Sequence, residues 1–590
     1  MQRPLLCTAV AVLVVLTACT TQQSQPQPLP DAPTNAVIEK EKAARQIVER
    51  REAKDERVDQ AASISRQNLE AEVDAMAPSP SLASGAVSKM MAMPSPSYAP
   101  PVCCNQPVED RENYAQIASN PIQRVAENPV STFSIDVDTG SYANVRRFLK
   151  QGRLPPQDAV RVEEMVNYFD YAYAPPRNTE VPFSVVTEIA PTPWNKKTQL
   201  LHVGIQGWKP QGPRVASNLI FLVDVSGSMN EPNKLPLVKS ALKLLTKDLT
   251  RDDRISLVVY AGNSGVVLEP TPGNQSAKIE DALDRLEAGG STNGGAGIQQ
   301  AYALARQAFI KNGNNRVLLA TDGDFNVGTT NFERLIDLVE EQRKTGIALT
   351  TLGFGEGNYN DKLMEQLADA GNGNYAYIDT LSEAQKVLVD QRDATLRTIA
   401  RDVKIQIEFN PSVVSEYRLI GYENRMLRRE DFNNDKIDAG EIGAGHTVTA
   451  LYEITLANDG GRIDPLRYGG DKIVKSAGDE LAFLRLRYKR PEDGMSAASR
   501  LIERPLRAQD VKHDLAQTSD AFRLSAAVAG FGQLLRGGNY TESFHYTDVE
   551  KLARGARGQD AHGYAGEFLQ LVQLAGSLST KQARAETMED

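Results

Sequence analysis

Between residues 216 and about 395 the sequence alternates short apolar stretches with longer amphipathic ones, and this alternation constrains the fold more than any other feature. The apolar stretches are SNLIFLVDVS, RISLVVYAG, RVLLATDGD and IALTTLGFG; LPLVKSALKLLTKDL and NFERLIDLVEEQRKTG are amphipathic at helical spacing. Strands that are buried on both faces are apolar almost throughout, and helices that connect them in alternation make the sheet parallel. The pattern therefore predicts an α/β domain with a doubly wound, Rossmann-like sheet over residues 216–395.

Different patterns flank this block. Residues 113–215 begin with two short amphipathic stretches and continue with alternating, β-branched ones, and residues 396–590 begin with alternating stretches and end with helical ones. Alternation with a period of two predicts strands that bury one face. We therefore expect β-rich and helical flanks. We hypothesise that the two strand-rich segments join into one β-sandwich, with the α/β domain inserted between them.

The N-terminal part predicts an exported chain with a tether. Residues 1–18 have an early arginine and an apolar core that is short for a membrane span, as is typical of a signal peptide. The tetrad LTAC resembles a bacterial lipobox, which implies a diacylated Cys19; a plain signal peptide with a chance cysteine is the alternative. In that family, the residue after the lipid-bearing cysteine directs sorting. Thr20 at this position, in place of an aspartate, implies that the protein is anchored in the outer membrane, on its periplasmic or surface face. Residues 19–112 are of low complexity, which predicts a disordered tether with a solvated helix or a partner-binding coiled coil.

Charge and side-chain counts exclude two classes of protein. The chain has 66 Lys and Arg against 76 Asp and Glu, a formal charge of −10, which argues against binding to a nucleic-acid backbone. Its 5 histidines stand apart from one another and from the cysteines, so the sequence predicts no zinc site. The pair Cys103-Cys104 lies in a proline-rich stretch, so a disulfide there cannot cross-link a hydrophobic core. Free thiols and a vicinal or intermolecular disulfide both remain open for this pair.

Two aspartates end predicted strands of the α/β domain. Asp224 closes SNLIFLVD, and Asp322 closes RVLLATD. In doubly wound sheets the first and fourth strands are commonly neighbours, and ligands bind beyond the carboxyl ends of the strands at that point. Two carboxylates that face one crevice repel each other unless a cation or a proton intervenes. The sequence therefore predicts a cation site between them.

Hydroxyl residues in the adjoining loops complete a candidate ligand set. Ser226 and Ser228 are two residues apart in a turn, and Thr292 lies in the glycine-rich loop GGSTNGGAGI. Two carboxylates and three neutral hydroxyls, without sulfur or imidazole, suit Mg²⁺, with Mn²⁺ or Ca²⁺ as alternatives, better than they suit zinc.

These motifs carry a family resemblance. DVSGS, the downstream threonine and ATDG at a strand end resemble the von Willebrand factor type A (vWA) domain and its metal-ion-dependent adhesion site. The resemblance implies that Ser226, Ser228 and Thr292 bind the metal directly. It implies that Asp224 and Asp322 bind it directly or through water, and that an acidic side chain of a partner completes the coordination sphere. MNEPN follows where integrin-type domains have two aspartates, so a second, adjacent calcium site is not predicted.

The flanks carry a second resemblance. STFSIDVDTGSYANVRRFLKQG and RREDFNNDKIDAGEIGAGHTVTALYEI resemble a family of bacterial vWA lipoproteins that has a vWA-associated N-terminal segment and a C-terminal domain of unknown function. Together the motifs predict an envelope-anchored lipoprotein that binds a protein partner through its metal site, in adhesion or protein–protein interaction. We expect the partner to be an envelope protein that offers an acidic side chain. We expect membrane attachment through lipid, and neither nucleic acid nor a small-molecule substrate.

An enzymatic alternative is a metal-assisted hydrolase or an accessory subunit of an envelope enzyme. The motifs pair carboxylates with a cation, but the sequence offers no evident general base or nucleophile beside them. The sequence therefore favours a binding protein over an enzyme.

The string FSIDVDTGSY imitates the start of the metal motif. It places Asp136 at a strand end, but Asp138 and Gly140 stand where hydroxyl residues are needed. We expect a local role instead, either a helix cap by Asp138 or Ser141 or a hydrogen-bonded turn.

The string DFNNDKIDAGEI imitates the start of an EF-hand loop. Asp431, Asn433 and Asp435 occupy its first ligand positions. Lys436 stands where glycine makes the turn, and Ile442 stands where a glutamate closes the loop. We expect a polar turn between strands.

Overall fold

The computed structural model describes residues 111–177, 180–209, 214–262, 264–290, 294–323, 332–464, 466, 479–493 and 497–589. Within these ranges the strands before and inside the α/β domain are β1 Gln123–Arg124, β2 Val130–Ser134, β3 Phe183–Thr192, β4 Asn195–Gly207, β5 Ser217–Asp224, β6 Arg254–Tyr260, β7 Ser264–Pro272, β8 Asn314–Thr321, β9 Ala348–Gly353 and β10 Tyr375–Tyr377. The strands after it are β11 Thr398–Phe409, β12 Val414–Ile420, β13 Gly440–Gly443, β14 Thr447–Leu456, β15 Glu480–Lys489 and β16 Arg500–Arg507.

The described α-helices are α1 Gly140–Lys150, α2 Val162–Asn167, α3 Leu235–Thr246, α4 Ser276–Asp284, α5 Gly294–Gln307, α6 Phe332–Arg343, α7 Asp361–Ala370, α8 Leu381–Gln385, α9 Arg392–Leu396, α10 Asp520–Leu535, α11 Tyr546–Arg554 and α12 Tyr564–Glu589. A π-helical turn, Lys386–Asp390, joins α8 to α9. None of the described helices has both the length and the apolar character needed to cross a membrane.

The α/β domain contains a six-stranded sheet in the order β10-β9-β8-β5-β6-β7. β5 pairs in parallel with β6 on one side and with β8 on the other, so the strand order reverses between β5 and β8. Separate hydrophobic clusters cover the two faces of this sheet. The predicted doubly wound fold is confirmed, and the first strand of the domain lies beside its fourth.

The edge strand β7 departs from the predicted parallel sheet. It pairs antiparallel with β6, and residues 261–263 alone connect the two strands. A parallel pairing needs a crossover of a dozen or more residues, so this short connection permits only a hairpin. The expectation of an entirely parallel sheet is wrong at this edge.

Strands from both flanks share the same sheets. One sheet has the order β1-β12-β14-β4-β3; the other has the order β13-β11-β15-β16, with β2 also paired to β11. β4, which precedes the α/β domain, pairs along eight positions with β14, which follows it. The inner faces of the two sheets meet in one core that includes Phe133, Ile205, Tyr452 and Leu484. The hypothesis of a single sandwich interrupted by the α/β domain is therefore confirmed.

Helices from both flanks cover the outer face of the first sheet. α1 and α2 share one hydrophobic core with α10, α11 and α12, in which Tyr142, Met165, Phe531 and Phe568 are each 0% exposed. This core includes Trp194 and Leu200 of the sandwich, so the helical layer and the sandwich form one continuous flank.

Buried arginines join this flank to the α/β domain. Arg161, which is 1% exposed, pairs with Glu164 three residues later in the chain and reaches Asp361 of the α/β domain at 2.5 Å from Nη1 to Oδ2. Arg146 likewise pairs with Asp379 and, at 2.7 Å, with Glu383. A buried ion pair costs several kcal/mol if one partner is lost, because the other charge is then left uncompensated. The flank and the α/β domain are therefore held together by charges as well as by apolar contact.

The carboxyl group of Glu365 in α7 makes this contact sensitive to pH. It lies 3.6 Å from Arg425 and 3.9 Å from Arg161, yet burial outweighs these charges and raises its pKa to about 8. Since the pKa of Glu365 is then higher in the folded than in the unfolded chain, its contribution to stability falls as pH rises from about 4.5 to about 8.

We predict that Glu365→Gln, which mimics the protonated acid, removes this contribution. Relative to the variant, the parent chain is expected to lose stability on the order of a few kcal/mol between these two pH values. Urea unfolding of both proteins at several pH values and constant ionic strength measures the difference. The prediction is contradicted if the difference in unfolding free energy between the two proteins stays constant over this pH range.

Candidate metal centre

Asp224 and Asp322 lie side by side at the carboxyl ends of β5 and β8. The pairing of Val223 with Ala320 brings the two strand ends together, and both aspartates are 0% exposed. Burial, followed by the negative charge of Asp322, raises the pKa of Asp224 to about 6. The structure therefore brings together the two carboxylates that the sequence singled out, at a free-energy cost that a cation would offset.

The serines of the DVSGS loop face each other beside this pair. The Ser226 amide donates to Asp224 Oδ1 at 2.9 Å, which turns the loop back over the strand end. A short 3₁₀ turn, Gly227–Asn230, follows, and the Ser226 and Ser228 hydroxyl oxygens lie 3.1 Å apart. Ser226 is buried and Ser228 is partly exposed. The Ser226 side chain also hydrogen-bonds to Asp224, so the two hydroxyl groups lie at the carboxyl end of β5; that they bind a metal stays a prediction.

Thr321 orients Asp224, although sequence reasoning did not single it out. Its hydroxyl donates to Asp224 Oδ2 at 2.8 Å and accepts a hydrogen bond from the Gly323 amide at 3.0 Å. Both carboxylate oxygens of Asp224 therefore have fixed partners. The only available signal was a hydroxyl residue directly before Asp322, at the end of the apolar run VLLA of β8.

An ammonium group lies against the second carboxylate. Lys234 Nζ is 3.1 Å from Asp322 Oδ2 and donates to Asn358 Oδ1 at 2.8 Å; the Asn358 amide donates to the same Asp322 oxygen at 3.0 Å. Lys234 is 3% exposed and its stem packs against Gly355, where a Cβ would lie 2.4 Å from Lys234 Cε. Sequence reasoning missed Lys234, because NEPNKLPL reads as a polar loop.

The fifth predicted ligand, Thr292, lies outside the described residues. The chain just before it is held against the DVSGS loop, since the Gly289 amide donates to Val225 O at 2.7 Å and the Gly227 amide to Gly290 O at 3.1 Å. The predicted lipid attachment site Cys19 and the pair Cys103-Cys104 also lie outside the described residues.

The described donors fit a hard divalent cation. All of these donors are oxygen atoms, and two of the residues are buried aspartates. The two negative charges of the aspartates exceed the single positive charge of Lys234. In the described ranges, this centre included, no group of three or more His, Cys, Asp or Glu side chains is arranged to hold a metal ion. The candidate centre has only two such residues, and the remaining donors on offer are hydroxyls.

Asp136 and Asp138 take part in local structure and in the contact between domains. The Asp138 amide donates to Asp136 Oδ1 at 3.1 Å, so the expected hydrogen-bonded turn is confirmed. The expected helix cap is wrong: α1 begins after Thr139, without a side-chain cap. Asp138 Oδ1 instead accepts the Tyr375 amide at 2.7 Å, because the edge of the α/β sheet at β10 offers a buried donor there.

The EF-hand-like loop is occupied by lysines of the chain itself. Lys404 Nζ donates to the carbonyl oxygens of Asp431 at 3.2 Å and Asn434 at 2.7 Å, and Lys489 Nζ donates to Asp435 O at 2.8 Å. Two ammonium groups thus take oxygens that could otherwise have faced a calcium ion. The expectation of a polar turn is confirmed.

Three family models match the chain. The von Willebrand factor type A domain matches residues 218–391, the model described as von Willebrand factor matches residues 108–202, and the model "Uncharacterized protein YfbK, C-terminal" matches residues 394–578. The matches fall on the α/β domain and on each of its flanks.

Individual proteins show the same similarity. The "Uncharacterized protein YfbK" of Escherichia coli K12 is 49% identical over 475 residues, which cover 79% of this chain and 81% of that protein. The inter-alpha-trypsin inhibitor heavy chain H3 of Homo sapiens is 25% identical over 268 residues, covering 42% of this chain and 29% of that protein. Among solved structures, the von Willebrand factor type A from Catenulispora acidiphila matches with a TM-score of 0.39 and 16% identity over 65% of this chain and 89% of that one.

Proposed function

Because the chain belongs to the YfbK family, with a vWA domain between flanks that form one body, we propose that it is an envelope lipoprotein that binds a protein partner through a divalent cation. A vWA domain suggests protein–protein interaction or adhesion in general. The observation that carries the finer proposal is the fully buried pair Asp224 and Asp322, with the Ser226 and Ser228 hydroxyls beside it.

We propose Mg²⁺ as the ion, with Mn²⁺ or Ca²⁺ as alternatives. Asp224, Asp322, Ser226 and Ser228 would hold it together with Thr292, and all of these residues offer oxygen. When bound, the ion would supply a Lewis-acidic centre that an outside carboxylate can approach. The two carboxylates and Lys234 leave one net negative charge, so a bound divalent cation leaves one net positive charge. That balance favours an acidic side chain on the partner.

We propose that Cys19 carries the lipid anchor and that the chain is held at the outer membrane. Support comes from the lipobox-like LTAC tetrad and from Thr20 after it. Several acyl chains on one cysteine are enough for stable membrane attachment.

A pull-down with the full chain as bait tests the proposal. The parent chain is expected to need detergent for its release from membranes, whereas Cys19→Ser is expected in the soluble fraction. In Mg²⁺ the parent chain is expected to capture a protein from a detergent extract of the envelope, and EDTA is expected to release it.

Asp224→Asn is the matched bait for this experiment, since it keeps the shape of the side chain and removes one negative charge. Capture by this bait is expected to match the EDTA background. Equal capture by the parent and by Asp224→Asn, or capture that persists in EDTA, would overturn the proposal.

We propose binding rather than catalysis as the role of this site. Among the described contacts, Asp224 accepts from the Ser226 amide and the Thr321 hydroxyl, and Asp322 accepts from the Asn358 amide and the Lys234 ammonium. Each of these groups has a structural role in orienting an aspartate. Turnover of phosphoester or peptide substrates that is lost in Asp224→Asn would favour the alternative, a metal-assisted hydrolase or an accessory subunit of one.

A further inference from the structure

A cavity of about 330 Å³ lies where the α/β domain meets the sandwich, at the amino-terminal end of the parallel strands. The start of β8, the turn before β9 and the strands β11 and β13 line it. The strands β5 and β8 carry Asp224 and Asp322 at their carboxyl ends, so this cavity is at the opposite end of the sheet from the candidate metal centre. It is therefore a separate site, and its chemistry does not depend on the proposed function.

Arg316 of β8 is the most buried charge in the lining. It is 3% exposed, and Nη1 donates to the Thr350 hydroxyl at 2.6 Å. Within the part of the chain that the structure describes, no carboxylate forms an ion pair with it. Burial lowers the pKa of Arg316 to about 10, which still leaves the guanidinium charged at neutral pH. Glu441 acts on this charge electrostatically but forms no ion pair with it, and a buried charge without an ion-paired counterion is costly, so this arginine can receive an anion from outside the chain.

The other charged groups of the lining are also mostly positive. Arg343, Lys344 and Arg401 line the cavity, and among the described residues neither Lys344 nor Arg401 has a carboxylate partner. Arg343 pairs with Asp438, while its Nε has no hydrogen-bond partner in the described part of the chain. Glu441 is the only carboxyl group in the described lining, and burial raises its pKa well above the usual range. The described lining therefore carries four cationic side chains, one of them paired with Asp438, against one carboxyl group, in a chain whose formal charge is −10.

We propose that this cavity binds a phosphate group, with Arg316 as its buried anchor and Arg401 as a second cationic contact. The planar fork of a guanidinium matches the oxygens of phosphate in a bidentate arrangement, and such charge-assisted bonds are the strong ones. Lys344 is an exposed residue of the same lining. The cavity is larger than a phosphate ion, so a small phosphate ester also fits. We propose such an ester as a bound ligand and not as a substrate.

Thermal melting and titration calorimetry of the full chain test this proposal. The probes are inorganic phosphate and glycerol 3-phosphate, added at constant ionic strength to protein in a chloride buffer. Both probes are expected to raise the melting temperature if the phosphate group alone is recognised. A rise with glycerol 3-phosphate that exceeds the rise with inorganic phosphate assigns the site to an ester.

Arg316→Met and Arg401→Gln are each expected to weaken probe binding at least about 10-fold, because each removes charged hydrogen bonds. Arg285→Gln is the matched control, and this variant is expected to bind the probes as the parent does, because the Arg285 side chain, directly after α4, is 62% exposed. Without phosphate, Arg316→Met is expected to melt no lower than the parent, because it removes an uncompensated buried charge. If Arg316 only stabilised the fold, Arg316→Met would melt at a lower temperature than the parent.

Two results would overturn the proposal. One is the absence of any phosphate-dependent rise in the parent chain. The other is an equal rise in the parent, Arg401→Gln and Arg285→Gln, which would mean an adventitious ion only. Arg401 is partly exposed at the wall of the cavity, so its variant keeps the test decisive even if Arg316→Met fails to fold.

Discussion

Replacing Asp224 by asparagine or alanine is expected to abolish Mg²⁺ binding, with a loss of more than about 100-fold in affinity. Asp224 is 0% exposed, and its two oxygens are fixed by the Ser226 amide at 2.9 Å and the Thr321 hydroxyl at 2.8 Å. The carboxylate is thus held in one orientation by the chain itself. Either substitution removes half of the negative charge that the Asp224 and Asp322 pair offers to a cation. Titration calorimetry with Mg²⁺ measures the loss.

The same variants separate a binding role from a role in folding. In EDTA, Asp224→Asn is expected to be at least as stable as the parent chain. The reason is that burial and the charge of Asp322 already disfavour the ionised carboxylate and raise its pKa to about 6. In Mg²⁺ the parent is expected to gain stability and the variant to gain none. A variant that unfolds in EDTA, or that still gains stability from Mg²⁺, would contradict the assignment of Asp224.

The second large effect is expected from Arg161→Met. Arg161 is 1% exposed and pairs with Glu164 and Asp361, one on each side of the contact between the flank and the α/β domain. Its removal leaves these carboxylates buried without a counterion, and we expect a loss of about 3–5 kcal/mol in the free energy of unfolding. Urea unfolding followed by fluorescence and by circular dichroism measures the change.

Two comparisons make this prediction specific. Arg285→Met, at a residue that is 62% exposed, is expected to change stability by less than about 0.5 kcal/mol. The triple variant Arg161→Met, Glu164→Gln, Asp361→Asn is expected to recover part of the loss, because it removes the stranded charges together with their partner. A loss in Arg161→Met that the triple variant does not reduce would assign Arg161 to packing instead of charge compensation.

Patterns that depend on burial predicted the architecture well. The run SNLIFLVD predicted a strand with two covered faces, and β5 is buried along its whole length, with its side chains divided between the two hydrophobic clusters of the domain. The end of that run predicted the position of Asp224, and the general order of doubly wound sheets predicted its neighbour Asp322. Both inferences succeed because parallel strands expose their carboxyl ends at one edge of the sheet.

Groups that act across the fold could not be predicted in the same way. Lys234 and Asn358 meet at Asp322 from separate loops, and nothing in their local sequence indicates that contact. A helix cap by Asp138 or Ser141 was one of the local roles expected, but Asp138 instead accepts a hydrogen bond from a buried amide of β10, far along the chain. A sequence pattern reports which face of an element is buried, whereas these contacts depend on which distant element covers it.

The insertion of the α/β domain into the sandwich has a consequence for how the chain assembles. β4 emerges during synthesis long before its partner β14, and in that interval its edge has only β3 to pair with. Gly207, where the chain leaves the sandwich, lies close to Ile399, where it returns: a Cβ on Gly207 would be 3.1 Å from Ile399 Cδ1. A folded α/β domain therefore brings the two halves of the sandwich together and lowers the entropic cost of closing them. Slow folding of that domain would prolong the exposure of an unpaired strand edge, which is the state most prone to aggregation.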